Sequence, residues 1–134
     1  LDSICSQNSK KYSINMDKLT LSGTVIHGKK LGRTIGFPAA NIDISKTPLS
    51  PGTYGFETTI DSKTYYGIGA HLDGTMTFEA HIFDFSGDIY ERMIELTLIL
   101  KIRDNRKFDS FEALKEQIES DKTTMLTYVK NTLT

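Results

Sequence analysis

Ile94-Glu95-Leu96-Thr97-Leu98-Ile99-Leu100-Lys101-Ile102 alternates apolar and polar positions more cleanly than any other stretch of the chain. Residues two apart on an extended backbone share a face. Ile94, Leu96, Leu98, Leu100 and Ile102 therefore point one way, and Glu95, Thr97, Ile99 and Lys101 the other. The stretch reads as a long strand lining a core.

Working outward, the same period returns. Thr75 to Phe83 places Phe78, Ala80 and Ile82 on one face and Glu79, His81 and Phe83 on the other. Asp84 to Asp88, with Ser86-Gly87, turns the chain between these two strands. Tyr54, Phe56, Thr58 and Ile60 share a face of an earlier strand. Asp61-Ser62-Lys63 then makes a tight connection into Thr64 to Ile68, the return arm of a hairpin. Gly67, Gly69 and His71 to Gly74 read as a loop opening. Leu19 to His27 is a further strand, where Gly23 signals a bulge or a close approach by other backbone. Ile42 and Ile44 mark a short extended piece, and Pro48 to Gly52 a turn.

After Ile102 the period changes. Phe111, Leu114, Ile118, Met125, Val129 and Leu133 follow the spacing of one amphipathic helix of about six turns, with Lys122-Thr123-Thr124 the place where it could break. Asp109 and Glu112 suggest its capping box. About six short strands and one C-terminal helix argue for a closed antiparallel barrel or a sandwich. Residues 1–16 are polar and read as a tail or linker, leaving 17–134 as the folded domain.

Bulk properties narrow the function. The 134 residues favour one domain, and 38% hydrophobic with 25% charged residues is ordinary for a soluble globular protein. A net charge of −1 draws the molecule toward neither nucleic acid nor an anionic membrane. No apolar run approaches the roughly 20 residues of a membrane helix. The single Cys5 cannot form an internal disulfide, which fits a reducing cytoplasm. His27, His71 and His81 lack the paired spacing of a metal site.

Three groupings could carry chemistry. His27 to Asn41 holds three glycines, three cationic side chains and one proline, a composition suited to bringing backbone N–H groups and positive charge to a phosphate. Its glycines do not follow the Walker order, and a plain surface connection explains them as well. Glu79 and His81 share a strand face, as a proton-transfer pair or as two solvated polar groups. Lys101 to Phe108 is a charged run of the kind found in solvated loops.

Several of these residues together resemble one family. His27-Gly28, Gly32-Arg33, Ile35-Gly36-Phe37-Pro38 and Asn41 are similar to the Gly-Arg-x-x-Gly-Phe-Pro-Thr-Ala-Asn nucleotide-binding segment of riboflavin kinases. Pro51-Gly52-x-Tyr54 resembles the family's turn into its next strand. Phe78-Glu79-Ala80-His81-Ile82-Phe83-Asp84-Phe85 resembles its Val-Glu-x-His-Ile-Phe-Asp-Phe segment, and Ile102-Arg103 with Lys107 to Leu114 its join into the C-terminal helix. The likeness runs in order over about residues 19 to 121.

The resemblance implies a six-stranded antiparallel closed barrel with one C-terminal α-helix. It implies transfer of the γ-phosphate of ATP to the ribityl 5′-hydroxyl of riboflavin, with Mg²⁺ or another divalent cation, in a cytoplasmic monomer. Glu79 would be the catalytic base. Gly28, Lys30, Gly32, Arg33, Gly36, Phe37, Pro38 and Asn41 would hold the nucleotide, with Asn41 beside the metal. Arg103, Phe108 and Leu114 would contact the flavin. Riboflavin or FMN and ATP or ADP are then the partners, without nucleic acid or membrane.

Three departures bear on activity. Ala39 replaces the family threonine whose hydroxyl coordinates the cation. Ile68 to Thr75 is shorter than the family's Asn-Ile-Gly-x-Arg-Pro-Thr-Phe region and lacks its Asn, Arg and Pro. Glu91 stands where the family has glycine. A kinase weakened by Ala39 and an inactive flavin- or nucleotide-binding regulatory module are both open.

Overall fold

The computed structural model describes residues 14–26, 40–45 and 47–133, with side chains described from Leu19 to Thr132 within that set. Six strands, β1 (Ile14–Ile26), β2 (Ala40–Asp43), β3 (Gly52–Ile60), β4 (Lys63–His71), β5 (Thr77–Ile82) and β6 (Met93–Arg103), precede one helix, α1 (Phe111–Tyr128), which ends in a π-helical turn at Val129–Leu133. The strands close into a barrel in the order β1-β2-β5-β4-β3-β6, every pair antiparallel. Closure leaves no sheet edge to aggregate. The barrel with one C-terminal helix is the architecture expected from the sequence.

The alternating positions fill the barrel. Leu21, Val25, Ile42, Phe56, Phe78, Ala80, Leu96 and Leu98 are all buried in one cluster. Phe56 and Phe78 meet edge to face, with ring centroids 6.1 Å apart. Gly67 and Gly69 make room for those rings. A Cβ at Gly67 would lie 2.5 Å from Phe56 Cζ and 2.3 Å from the His81 carbonyl oxygen, and one at Gly69 would lie 2.2 Å from Phe78 Cε2. This corrects the expected loop opening: both glycines lie inside β4, which runs on to His71. Their missing side chains are required by bulky partners, not by a turn. Gly23 does show the anticipated close approach, since a Cβ there would sit 2.0 Å from the Asp43 carbonyl oxygen.

β1 starts at Ile14, five residues before the expected Leu19, and Ile14 pairs with Lys101. The β3–β4 hairpin closes through Asp61 and Ser62, with φ of 51° and 70°. Two consecutive positive φ values match the right-handed strand twist of a tight hairpin.

β6 departs from simple alternation. Gly55 pairs with Leu100, but Phe56 pairs with Leu98, so Ile99 is an extra residue in the ladder. This bulge reverses the faces beyond it, and a second one, Ile102 between the pairs Tyr54–Lys101 and Thr53–Arg103, restores them at Arg103. Leu98 points into the barrel, whereas Ile99 and Leu100 join a second cluster with Ile68, Phe83 and Met125, packed by Ile102, Ile118 and Val129. Ile99 thus lies opposite Leu98 as expected, whereas the face assignments expected for Leu100 and Ile102 are corrected. Phe83, expected to share a face with Glu79 and His81, also lies in this cluster.

The second cluster seats α1 on the outside of the barrel. Gly55 is the saddle: a Cβ there would lie 2.3 Å from Met125 Sδ. The helix cap is Ser110, not Asp109; its hydroxyl accepts from the Ala113 N–H at 3.1 Å. α1 passes through Lys122-Thr123-Thr124 unbroken. Phe111, expected on the apolar face, is exposed, and Asp121 is buried on that face.

Candidate active site

The ladder registers bring five residues from five strands into one row. Asn41 on β2 pairs with Glu79 on β5, Glu79 with Ala70 on β4, Ala70 with Thr53 on β3, and Thr53 with Arg103 on β6. Paired residues share a face. Phe78 and Ala80 point inward, so Glu79 and its partners in the row lie on the outer surface. Strands about 4.8 Å apart put Arg103 roughly 14 Å from Glu79 along the row. Between them lie the small side chains Ala70 and Thr53, and Thr53 is buried with its hydroxyl donating to Asn105 Oδ1 at 3.5 Å. The neighbouring row, Leu100, Gly55, Ile68 and His81, carries the helix-covered apolar surface. The Glu79-to-Arg103 row therefore runs alongside α1.

At the β2 end, Asn41 is only 8% exposed. Among the described residues its side-chain amide has no hydrogen-bond partner. Buried polar groups are nearly always satisfied, and this one lies directly beside the end of the 27–39 segment. Glu79, directly opposite on β5, is exposed. Their pairing sets an amide and a carboxylate side by side on one face of the sheet. No cluster of three or more His, Cys, Asp or Glu suited to a metal occurs among the described residues.

Residues 27–39 leave β1 after Ile26 and enter β2 at Ala40, and Ile26 pairs with Asn41. Both ends of that segment are thus fixed beside Asn41 and Glu79. Gly28, Lys30, Gly32, Arg33, Gly36, Phe37, Pro38 and Ala39 lie outside the described residues.

At the β6 end, Arg103 donates from Nε to both Asp121 carboxylate oxygens at 3.0 Å and from Nη2 to Oδ2 at 2.8 Å. Phe108 lies under this guanidinium, 5.7 Å from Cζ to ring centroid, and Arg106 lies 4.9 Å from the same ring. Arg103 and Phe108 are thus brought together. Leu114 sits half-buried in the first turns of α1, on the face that carries Gln117 and Asp121, and belongs to neither core cluster. Asn105 ties the connecting loop to the barrel, donating to the His71 carbonyl at 2.8 Å. His71, at the end of β4, is buried and its Nδ1 lies 3.0 Å from the Thr77 carbonyl oxygen. Lys101 bridges to Asp104 at 2.9 Å, and that hydrogen bond raises its pKa. Burial raises the pKa of Tyr54, whose hydroxyl donates to the Ser50 carbonyl at 2.7 Å.

Sequence reasoning missed Asp121. Its position three residues after Ile118 and four before Met125 put it on the apolar helix stripe, and a charged residue there is a signal for a buried partner.

Comparison with known proteins agrees with this architecture. Residues 16–129 match the model of the flavokinase family, described as riboflavin kinase. The chain is 40% identical over 110 residues to the RNA-binding riboflavin kinase RibR of Bacillus subtilis, covering 75% of this chain and 47% of that protein. It is 44% identical over 108 residues to the bifunctional riboflavin kinase/FMN adenylyltransferase of Haemophilus influenzae, covering 74% of this chain and 35% of that one. The chain thus spans less than half the length of these relatives. Riboflavin kinase from Trypanosoma brucei has the same fold, with a TM-score of 0.67, 20% identity, and coverage of 90% of this chain and 84% of its own. No helix among the described residues is long and apolar enough to cross a membrane.

Proposed function

This chain belongs to the riboflavin kinase family, and from that premise we propose that it transfers the γ-phosphate of ATP to the ribityl 5′-hydroxyl of riboflavin, giving FMN and ADP. The observation that carries this reading is the pairing of Glu79 with a buried Asn41 whose amide lacks a partner among the described residues.

Glu79 accepts a hydrogen bond from the 5′-hydroxyl and orients its oxygen toward the γ-phosphorus. A carboxylate is too weak a base to remove an alcohol proton in advance. In a loose transition state the bridging bond to the β-phosphate is largely broken before the new one forms, so the proton passes to Glu79 late. The new bond joins the 5′-oxygen to phosphorus, and the electron pair of the broken bond leaves on ADP. The Asn41 carbonyl oxygen would hold Mg²⁺ or another divalent cation, which neutralises charge on the β- and γ-phosphate oxygens when bound. The segment containing Gly28, Lys30, Gly32, Arg33, Gly36, Phe37 and Pro38 cradles the nucleotide. Arg103, Phe108 and Leu114 receive the flavin ring at the other end of the row, with the ribityl chain directed from there toward Glu79. The folded unit, expected over 17–134, takes in β1 from Ile14, works as a cytoplasmic monomer and needs no nucleic acid.

One observation favours a second reading. Ala39 supplies no hydroxyl to the cation, so a flavin- or nucleotide-binding module without turnover is the alternative. Incubation with riboflavin, ATP and Mg²⁺, followed by chromatography for FMN, separates the two. The kinase reading expects FMN from wild type and more from Ala39→Thr. FMN from Ala39→Thr alone would select the module instead.

A further inference from the structure

Asp121 is 2% exposed in the middle of α1. A carboxylate buried this deeply persists only against a matched cation. Arg103 supplies it through three contacts along one edge of its guanidinium. Gln117, one turn earlier on α1, donates from Nε2 to Asp121 Oδ1 at 3.0 Å, and its Oε1 accepts from Arg106 Nη1 at 3.4 Å. Arg103 Nη1 donates to the Asp104 carbonyl at 3.2 Å, which fixes the rotation of the plane. Of the five N–H groups of a guanidinium, one on each terminal nitrogen has no acceptor among the described residues. The Arg103 side chain is 20% exposed, so those groups are reachable.

We propose that Asp121, braced by Gln117, is a positioning residue that holds the Arg103 guanidinium over Phe108 with two donors reserved for acceptor atoms of the flavin ring. The proposal rests on the reading of Arg103 and Phe108 as flavin contacts. A planar fork with its orientation set in advance suits the carbonyl oxygens of a planar heterocycle, and a long side chain held this way loses little freedom on binding. Asp121 touches no substrate; it acts through Arg103.

The test measures riboflavin affinity by fluorescence quenching without ATP, beside KM for each substrate. Asp121→Asn keeps the shape and removes the charge. The expected result is a riboflavin dissociation constant and KM raised about tenfold, with the ATP KM and kcat changed less than about twofold, as for loss of a charge-assisted contact. Asp121→Glu should recover part of the affinity. Unchanged riboflavin affinity in a folded Asp121→Asn protein, or equal rises in both KM values, would overturn the proposal. If Asp121→Asn does not fold, Gln117→Leu decides: about a threefold loss of riboflavin affinity alone supports positioning, as for a weakened brace, and no change overturns it. Wild type that binds riboflavin but makes no FMN would end the kinase reading, leaving the quenching series to judge Asp121. Wild type that binds no riboflavin would overturn both.

Discussion

Glu91 has φ of 67°, a left-handed conformation that costs a residue with a Cβ about 1 kcal/mol. Its N–H donates to the Val25 carbonyl at 2.8 Å, so the bend is held by the barrel rather than by the side chain. The glycine that riboflavin kinases resembling this sequence carry there suits the same bend. Glu91→Gly should raise stability by about 0.5–1 kcal/mol, read as a higher urea midpoint; a lower midpoint would show that the Glu91 side chain contributes more than the strain costs. Residue identities also made Glu79 and Asn41 legible as candidates. Their adjacency was not, because it depends on the register of β2 against β5, which no local pattern encodes. Asp121 was hidden for a related reason: its partner lies 18 residues away, across the join from strand to helix.

Elements were legible where period and packing agree. β3, β5 and the first half of β6 follow strict alternation, and their inward residues are those the pattern selects. Alternation failed at Ile99, where an apolar residue on each face gives no sign that a bulge reverses the strand. Gly67 and Gly69 misled because glycine signals a turn as readily as a gap beside a ring. Their measured surroundings lead to a direct expectation. Gly67→Ala would press a methyl group against the His81 carbonyl and the Phe56 ring, and should cost about 1–3 kcal/mol by overpacking. Wild-type stability in urea denaturation of that variant would contradict the packing. At the helix, Ser110→Ala should cost about 1 kcal/mol through loss of the cap, whereas Asp109→Ala should cost much less. The reverse ranking would restore Asp109 as the cap.

At the scale of the molecule, closure couples both ends of the Asn41-to-Arg103 row to one wall. α1 and the 104–110 loop are fastened to the barrel by Arg103–Asp121, Lys101–Asp104 and Asn105 to His71. The titration of this barrel end sets a pH limit. Tyr54, mainly through burial, and Lys101, mainly through its hydrogen bond to Asp104, both have raised pKa values in the folded state. A raised folded pKa contributes stability that is complete below the unfolded value and is lost as pH rises through the folded one. The urea midpoint should therefore fall above about pH 10. Tyr54→Phe should lower the midpoint at pH 8, because the bond to Ser50 is gone, and make the alkaline fall shallower. A fall as steep as wild type would remove Tyr54 from this effect.

The proposed chemistry comes down to Glu79 and what its carboxylate would do for a hydroxyl on the outer face of β5. Rates of FMN formation from riboflavin and ATP, compared for wild type and Glu79→Gln at equal melting temperature, read this out. A base that orients the nucleophile and takes its proton predicts turnover by wild type and a loss of about a hundredfold or more in kcat on Glu79→Gln. Equal rates in the two proteins, or no FMN from wild type, would contradict it.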